Sequence, residues 1–571
     1  MTDKQAIKRL IGLLAKYKII ICIIIGTLLF TTLLNLCIPL ISRRIMDEGF
    51  IGGDGPLLVK LAVISFLLYA VITALNLLVE KLRINIAAKI QYSLNEEAFR
   101  HLMQVQIEYY DNRNYAETFS NLNMDIANMT SIADEGMFFV ITQIFSIIGG
   151  IVGLFILDYR MTIIVLLIIP VKYLAMKYFA KKRKSVMDSF INAGKAYAGW
   201  FGDTVGGIRE VRLLGIINEK NRGFAQKQNK IITEQKRLNM LSQWNMGIDS
   251  IIVQIMVMII YIVGANLVFG MELTVGTVFA FITYSAYVTG PIAAILNIKY
   301  LLSGIIPSTK RYYDFMAMPE EGETKGEVIP QWNDLSFDKV TFSYLDENPV
   351  IDNVSINISK GMKIAIVGRN GCGKSTLMDL LLRLRVPQEG YIRLGNVKID
   401  TLPMVTYREM FAVVSQEVYL FNDSIRNNIC LFRDIDETDI IKACEDSGLT
   451  DFISEVGLDY IVGQNGAMLS GGQKQKVALT RALLMNRPVF ILDEATSNVD
   501  ASSELRINKL LHTRLKDKTV IVISHRKSVL EEMDQVILMD EGRVVEAGDY
   551  KAIASTNIYR KVMVEKYLPH E

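Results

Sequence analysis

Six long apolar stretches dominate the first 300 residues, separated by polar segments of very unequal length. Uncharged runs cover residues 19–42, 136–157, 250–271 and 273–298. As helices, each is long enough to cross about 30 Å of hydrocarbon. A shorter run, 61–79, precedes Glu80 and predicts a span near 57–79. From Met161 only eleven residues pass before Lys172, with Pro170 among them. A span near 160–180 is still expected, with Lys172 and Lys177 snorkelling at its inner end. One such run would suit a buried helix of a soluble protein; a series of them predicts a helical membrane bundle.

Charge sets the expected orientation. Residues 80–135 carry five Lys/Arg and residues 172–249 carry fifteen. The opposite connections, at 43–60, 158–160 and around Glu272, are short. The basic segments are therefore expected on the cytoplasmic side, with both termini, in a multi-pass integral protein of the plasma membrane. Helix formers fill these segments and breakers are few, so they read as helical extensions of the spans. The first span follows Lys4, Lys8, Arg9, Lys16 and Lys18. Its apolar run is too long for a signal-peptide core, and Asn35-Leu36-Cys37 is a poor cleavage site, so a retained helix is expected.

The pattern changes after residue 316. Met318-Pro319-Glu320-Glu321-Gly322, with Gly326 and Pro330, is polar and rich in breakers. Residues 317–334 read as a linker between a membrane domain at 1–316 and a second domain at 335–571. Beyond the linker, short β-like runs alternate with helical stretches, the pattern of an α/β domain. The 571-residue chain carries a net charge of +2 from 62 basic and 60 acidic side chains. That balance gives no field for nucleic acid, which is not expected as a partner. Five cysteines without regular spacing predict no disulfide framework, and His101, His512, His525 and His570 are too scattered for a metal cluster.

The α/β region holds the candidate chemistry. Lys363–Val367 is strand-like by composition and runs into Gly368-Arg369-Asn370-Gly371-Cys372-Gly373-Lys374-Ser375-Thr376, which fits GxxxxGK[ST]; Leu377–Leu384 then reads as a helix. Glycines in such a loop let backbone N–H groups surround phosphate oxygens. Lys374 reaches the β/γ-phosphates, Ser375 binds Mg²⁺, and the helix N-terminus adds positive potential. A glycine-rich turn is the plainer alternative, and the strand and helix on either side argue against it. Pro488–Glu494 is a second apolar strand ending in two carboxylates. Beside a phosphate loop, Asp493 is placed to hold Mg²⁺ and Glu494 to polarise an attacking water.

Leu469-Ser470-Gly471-Gly472-Gln473 narrows the field. With this pentapeptide the chain resembles the ATP-binding cassette (ABC) transporters, in the form of an exporter-type half-transporter. The fold implied is an α-helical transmembrane bundle of six spans with long cytoplasmic extensions, followed by an α/β P-loop NTPase domain of ABC type. The resemblance implies that Ser470, Gly471, Gly472 and Gln473 face the γ-phosphate of ATP held on a partner cassette. Tyr344 resembles the aromatic that stacks on adenine, although a strand aromatic in the core would look the same. Gln416 resembles the glutamine that senses Mg²⁺ and the membrane domain. Asp500 resembles the D-loop aspartate, and His525 the switch histidine that contacts γ-phosphate.

Ile107–Asp111 and Ile208–Arg212 resemble the two coupling regions of exporters, and are equally readable as charged helices. Gln464 stands where the family's usual residue is Glu. The implied activity is ATP hydrolysis coupled to export of a hydrophobic or amphipathic drug, lipid or peptide. An importer of the same architecture and a non-transporting regulatory ATPase are the alternatives. ATP and Mg²⁺ are the expected cofactors. A homodimer in membrane lipid is the expected assembly, with a heterodimer as the alternative.

Overall fold

The computed structural model describes the backbone of all residues except 112–114, 134, 322–328, 330, 345–347, 494–500 and 564–571, and leaves undescribed the side chains at 115–117, 135–137, 139, 293–301, 303 and 501–504. The chain divides into two compact units. One comprises Met1–Met103 and Arg113–Met318, the other Gln104–Asn112 and Pro319–Glu571.

The first unit is helical. Among the described residues, five helices are long and apolar enough to cross a membrane: Lys18–Ile51, Gly55–Leu102, Val140–Leu157, Tyr159–Gly206 and Ile217–Phe269. Three of them run unbroken for 48, 48 and 53 residues. At about 1.5 Å per residue they reach beyond the hydrocarbon, so the polar segments do continue the spans. The apolar run 273–298 is divided into Val275–Thr289 and Pro291–Met316. Pro291 has no N–H to carry the ladder across the joint.

The unit packs through small residues. A Cβ on Gly153 would lie 2.6 Å from the Tyr284 ring, and one on Gly150 would lie 2.8 Å from Val288. Such close approach is the usual way helices pack where lipid supplies no hydrophobic drive. Leu154, Met161, Val165, Met256, Ile260 and Phe281 fill the core beside these contacts. The short connections are clasped by polar groups. Asp47 accepts from Gly276 N at 2.8 Å and Thr274 Oγ1 at 2.6 Å, which satisfies the exposed N-terminus of Val275–Thr289. Arg160 pairs with Glu272 at 2.6 Å.

Two features of this unit were not expected. Asp3–Ala15 is a helix, closed by a Thr2/Gln5 capping box and burying Ala6 and Leu10 one turn apart. Lys172 does not snorkel: its side chain is 2% exposed and its ammonium pairs with Asp249 at 2.7 Å. The partner lies on another helix, so the sequence around Lys172 does not announce it.

The second unit contains two sheets. A four-stranded antiparallel sheet runs in the order Ile351–Ser359, Asp334–Phe342, Glu389–Leu394, Val397–Lys398. A six-stranded sheet runs Arg543–Gly548, Gln535–Asp540, Lys363–Gly368, Thr519–Ile523, Val489–Asp493, Phe411–Val414, and is parallel apart from its first strand. The parallel strands are nearly continuous apolar runs because both faces are covered. One face shares a core with the antiparallel sheet, including Trp332, Phe337 and Ile364. The other is covered by Gly471–Met485 and Ala501–His512. A separate core around Leu420, Ile429, Ile440 and Val462 defines a helical lobe.

Candidate functional site

Parallel strands in one sheet end on the same edge, and loops leaving that edge converge. Lys363–Gly368 leads into the glycine loop. Thr519–Ile523 is its direct neighbour and is followed by His525; Val489–Asp493 comes next, with Asp493 opposite Ile523 in register. Phe411–Val414 follows, with Val414 opposite Leu492 and Gln416 two residues beyond. The topology therefore gathers the glycine loop, His525, Asp493 and Gln416 along one carboxyl edge.

The glycine loop has the backbone that glycine permits. Gly373 has φ +101°, and a Cβ there would lie 2.7 Å from both Val350 O and Ile351 Cδ1. A Cβ on Gly368 would lie 2.3 Å from Met539 O. The loop thus dives between two neighbouring segments before the helix Lys374–Leu381 begins. Asn370, Gly371 and Ser375 are exposed, while Cys372 and Thr376 are buried. Burial pushes the Cys372 thiol up, with Lys374 opposing. Lys374 is also buried, and its Nζ donates to Gly368 O at 2.7 Å and Arg369 O at 2.9 Å. The ammonium therefore lies beneath the loop crown, within one side-chain swing of an anion there.

Tyr344 follows the strand Asp334–Phe342 and is about half exposed. It is not a core aromatic. Its hydroxyl shares a 3.0 Å hydrogen bond with Thr376 Oγ1, so the ring stands beside the first turn of the phosphate-loop helix.

The Leu469–Gln473 pentapeptide belongs to the helical lobe. Leu469 is anchored in the lobe core. Ser470 caps the 15-residue helix Gly471–Met485 by accepting from Gln473 N at 3.3 Å, and the Gln473 side chain accepts from Ser470 N at 2.8 Å. This reciprocal box holds Ser470 and Gly471 exposed at a positive helix end. The Gln473 amide oxygen is engaged locally, which the sequence did not reveal. Gln464 is exposed in a short 3₁₀ turn just before the pentapeptide. Glu494 and Asp500 lie outside the described residues.

Two cationic contacts escaped the sequence reading. Arg369, inside the loop, donates to Val562 O at 2.6 Å and to Lys561 O. Arg408 forks onto Glu321 at 2.6 and 3.1 Å, tying the segment after Met318 to the α/β unit. Their partners are distant in sequence; Arg369 stands at a variable position of the glycine loop, and Arg408 belongs to no recognisable motif.

The chain is matched by two family descriptions: "ABC transporter transmembrane region" over residues 21–292 and "ABC transporter" over residues 351–497. Among curated relatives, an ATP-dependent lipid A-core flippase of Pectobacterium atrosepticum is 29% identical over 546 residues, covering 94% of this chain and 92% of the relative. The protein of the same description from Aliivibrio fischeri is 29% identical over 558 residues, covering 95% and 94%. A solved bacterial Atm1-family ABC exporter with ATP bound aligns with a TM-score of 0.81 at 21% identity, covering 95% of this chain and 98% of that one. With one description of this family matched over the membrane-helical residues and the other over the phosphate loop and the Leu469–Gln473 pentapeptide, the chain belongs to the ATP-binding cassette transporters, the ATP-hydrolysing translocases of membranes.

Proposed function

We propose that this chain is a homodimeric exporter that uses ATP to move an amphipathic lipid-like substrate out of the cytoplasmic leaflet. The single observation that carries the dimer is the division of phosphate-reading elements. The glycine loop sits on the sheet edge, whereas Ser470 and Gly471 are presented from a lobe with its own core. Two chains facing each other supply two complete sites. In each, the glycine amides and Lys374 of one chain grip the phosphates and Ser470 of the other closes on the γ-phosphate.

Within each site Tyr344 stacks on adenine. Ser375, Asp493 and Gln416 offer the oxygen donors that suit Mg²⁺, which neutralises phosphate charge when bound. Glu494 orients and polarises water, His525 contacts the γ-phosphate, and Asp500 supports the dimer seam. Closure of the cassettes is differential binding of ATP to one conformer, which shifts the membrane unit from inward- to outward-facing. Residues 1–316 form the membrane domain, with linker 317–334 and cassette 335–571. The cassette and both termini face the cytoplasm of a cell membrane. A lipid cargo fits the relatives' activity and the apolar, sparsely charged spans.

Complementation tests the sandwich. Chains carrying Lys374→Ala damage both sites of a homodimer, and so do chains carrying Ser470→Ala. A mixed dimer concentrates both lesions in one site and leaves the other intact. Reconstituted mixed dimers should regain trapping of one ATP per dimer and part of the ATP-dependent lipid uptake into inside-out vesicles. Absence of any recovery in verified mixed dimers overturns the shared-site arrangement.

A further inference from the structure

Arg385 is a buried cation of the α/β unit, and it belongs to no motif. Its side chain is 8% exposed. Its Nη2 donates to Asp111 Oδ1 at 2.8 Å and lies 2.7 Å from Oδ2, and Glu108 is 3.5 Å away. Both carboxylates come from the 104–112 segment, which joins this unit through Gln106 N to Pro319 O at 3.3 Å and Glu321 N to Gln104 O at 2.6 Å. That segment follows directly on the long helix Gly55–Leu102. Burial is the largest single influence and works against the charge of Arg385; the hydrogen bond and charge of Asp111, together with the charge of Glu108, outweigh it. Asp379 is the third carboxylate nearby; burial holds it above the usual range, with Arg385 opposing.

The other side of the guanidinium faces an aromatic ring. Arg385 Cζ sits 5.2 Å from the Tyr344 ring centroid, within cation–π range. The same turn clamps the residue before Tyr344, since Ser343 N donates to Gln388 Oε1 at 2.8 Å and Gln388 Nε2 donates to Ser343 O at 3.2 Å. Phe342 meets the ring edge-on at 5.2 Å, and Thr376 holds its hydroxyl. The Tyr344 ring is thus held at its hydroxyl, edge and face, with the residue before it clamped, yet it stays half exposed. A ring that only filled space would not need a buried, doubly paired arginine against its face.

We propose that Arg385 is a positioning residue for the nucleotide base: anchored by Asp111 and Glu108, it holds the Tyr344 ring ready for adenine and makes ATP affinity depend on the 104–112 segment. This rests on the assignment of Tyr344 to adenine. A preorganised ring loses less freedom on binding, so Arg385 acts on affinity more than on the hydrolytic step.

Steady-state ATPase assays on the full-length protein in lipid test this. Arg385→Ala should raise KM for ATP about fivefold with kcat nearly unchanged. Asp111→Asn should move KM the same way by less, and Arg385→Lys should recover part of the loss. Tyr344→Ala should raise KM, and adding Arg385→Ala to it should raise KM no further, because the arginine then has no ring to hold. If Tyr344→Ala leaves KM unchanged, the adenine assignment itself fails. If Tyr344→Ala raises KM while Arg385→Ala and Asp111→Asn do not, the role of Arg385 alone fails, as it does if the two losses multiply. If Arg385→Ala does not fold, Asp111→Asn and Arg385→Lys decide the same question.

Discussion

The Lys172–Asp249 pair inside the membrane unit offers a quantitative test of how that unit is held together. The charges are 2.7 Å apart, one on Tyr159–Gly206 and the other on Ile217–Phe269. At an effective dielectric constant of about 20, their attraction is on the order of 6 kcal/mol. Desolvation costs several kcal/mol per ion, so the intact pair contributes close to nothing relative to apolar side chains. Removing one partner is different, and the two removals are unequal. Asp249→Leu strands an ammonium that is 2% exposed, whereas Lys172→Met strands a carboxylate that is 32% exposed. The first should cost about 3–5 kcal/mol, the second distinctly less, and the double variant should lie near wild type. Thermal unfolding of the three variants in nanodiscs, read as a double-mutant cycle, measures the ordering. Full stability of Asp249→Leu, or a double variant weaker than either single one, would show that the two charges do not depend on each other.

Three further outcomes concern the cassette. Lys374→Ala should lower ATP turnover on the order of a hundredfold or more, since it removes a preorganised charge from the phosphates; near-normal turnover of the purified variant would place the site elsewhere. Gly373→Ala forces a Cβ to 2.7 Å from Val350 O at φ +101°. It should destabilise the cassette by about 3 kcal/mol and abolish ATP retention, and an unchanged melting curve would contradict the loop geometry. Glu494→Gln keeps shape and hydrogen bonding but loses proton acceptance. Hydrolysis should fall about 10²–10⁴-fold while ATP holds the two cassettes closed, and a distance probe that finds them apart at saturating Mg-ATP would remove Glu494 from the catalytic role.

What could be read in advance follows from how local each determinant is. Apolar runs announce spans because crossing hydrocarbon is a requirement on consecutive residues, and the glycine loop announces itself because its strained backbone admits few residue types. Lys363–Val367 and Pro488–Glu494 were legible as strands running into candidate chemistry, and the parallel register then brings Asp493 opposite Ile523. Determinants that need a distant partner were not legible. Lys172 looked like a snorkelling residue because Asp249 lies 77 positions away on another helix. Gly290-Pro291 looked like the middle of one span, and the missing N–H of Pro291 was the signal passed over. The helix Asp3–Ala15 carries a local signal in its Thr2/Gln5 box and the one-turn spacing of Ala6 and Leu10, but two buried apolar residues make a weak pattern beside the long apolar run that follows.

The same distinction separates the two ways this chain handles its nucleotide. Gripping phosphate is a backbone task, met by amides and a helix end that any correctly placed glycine loop supplies. Holding the base is a side-chain task, and the side chain proposed for it is fixed from outside the phosphate loop. Tyr344 is shaped by Gln388 and Arg385, and Arg385 by Asp111 on a segment more than 200 residues earlier. A phosphate loop therefore says that a nucleotide binds, whereas on the proposed assignment of Tyr344 to adenine the network behind that ring governs how tightly. The proposed control of base affinity therefore reaches Asp111, on the segment that follows the helix Gly55–Leu102.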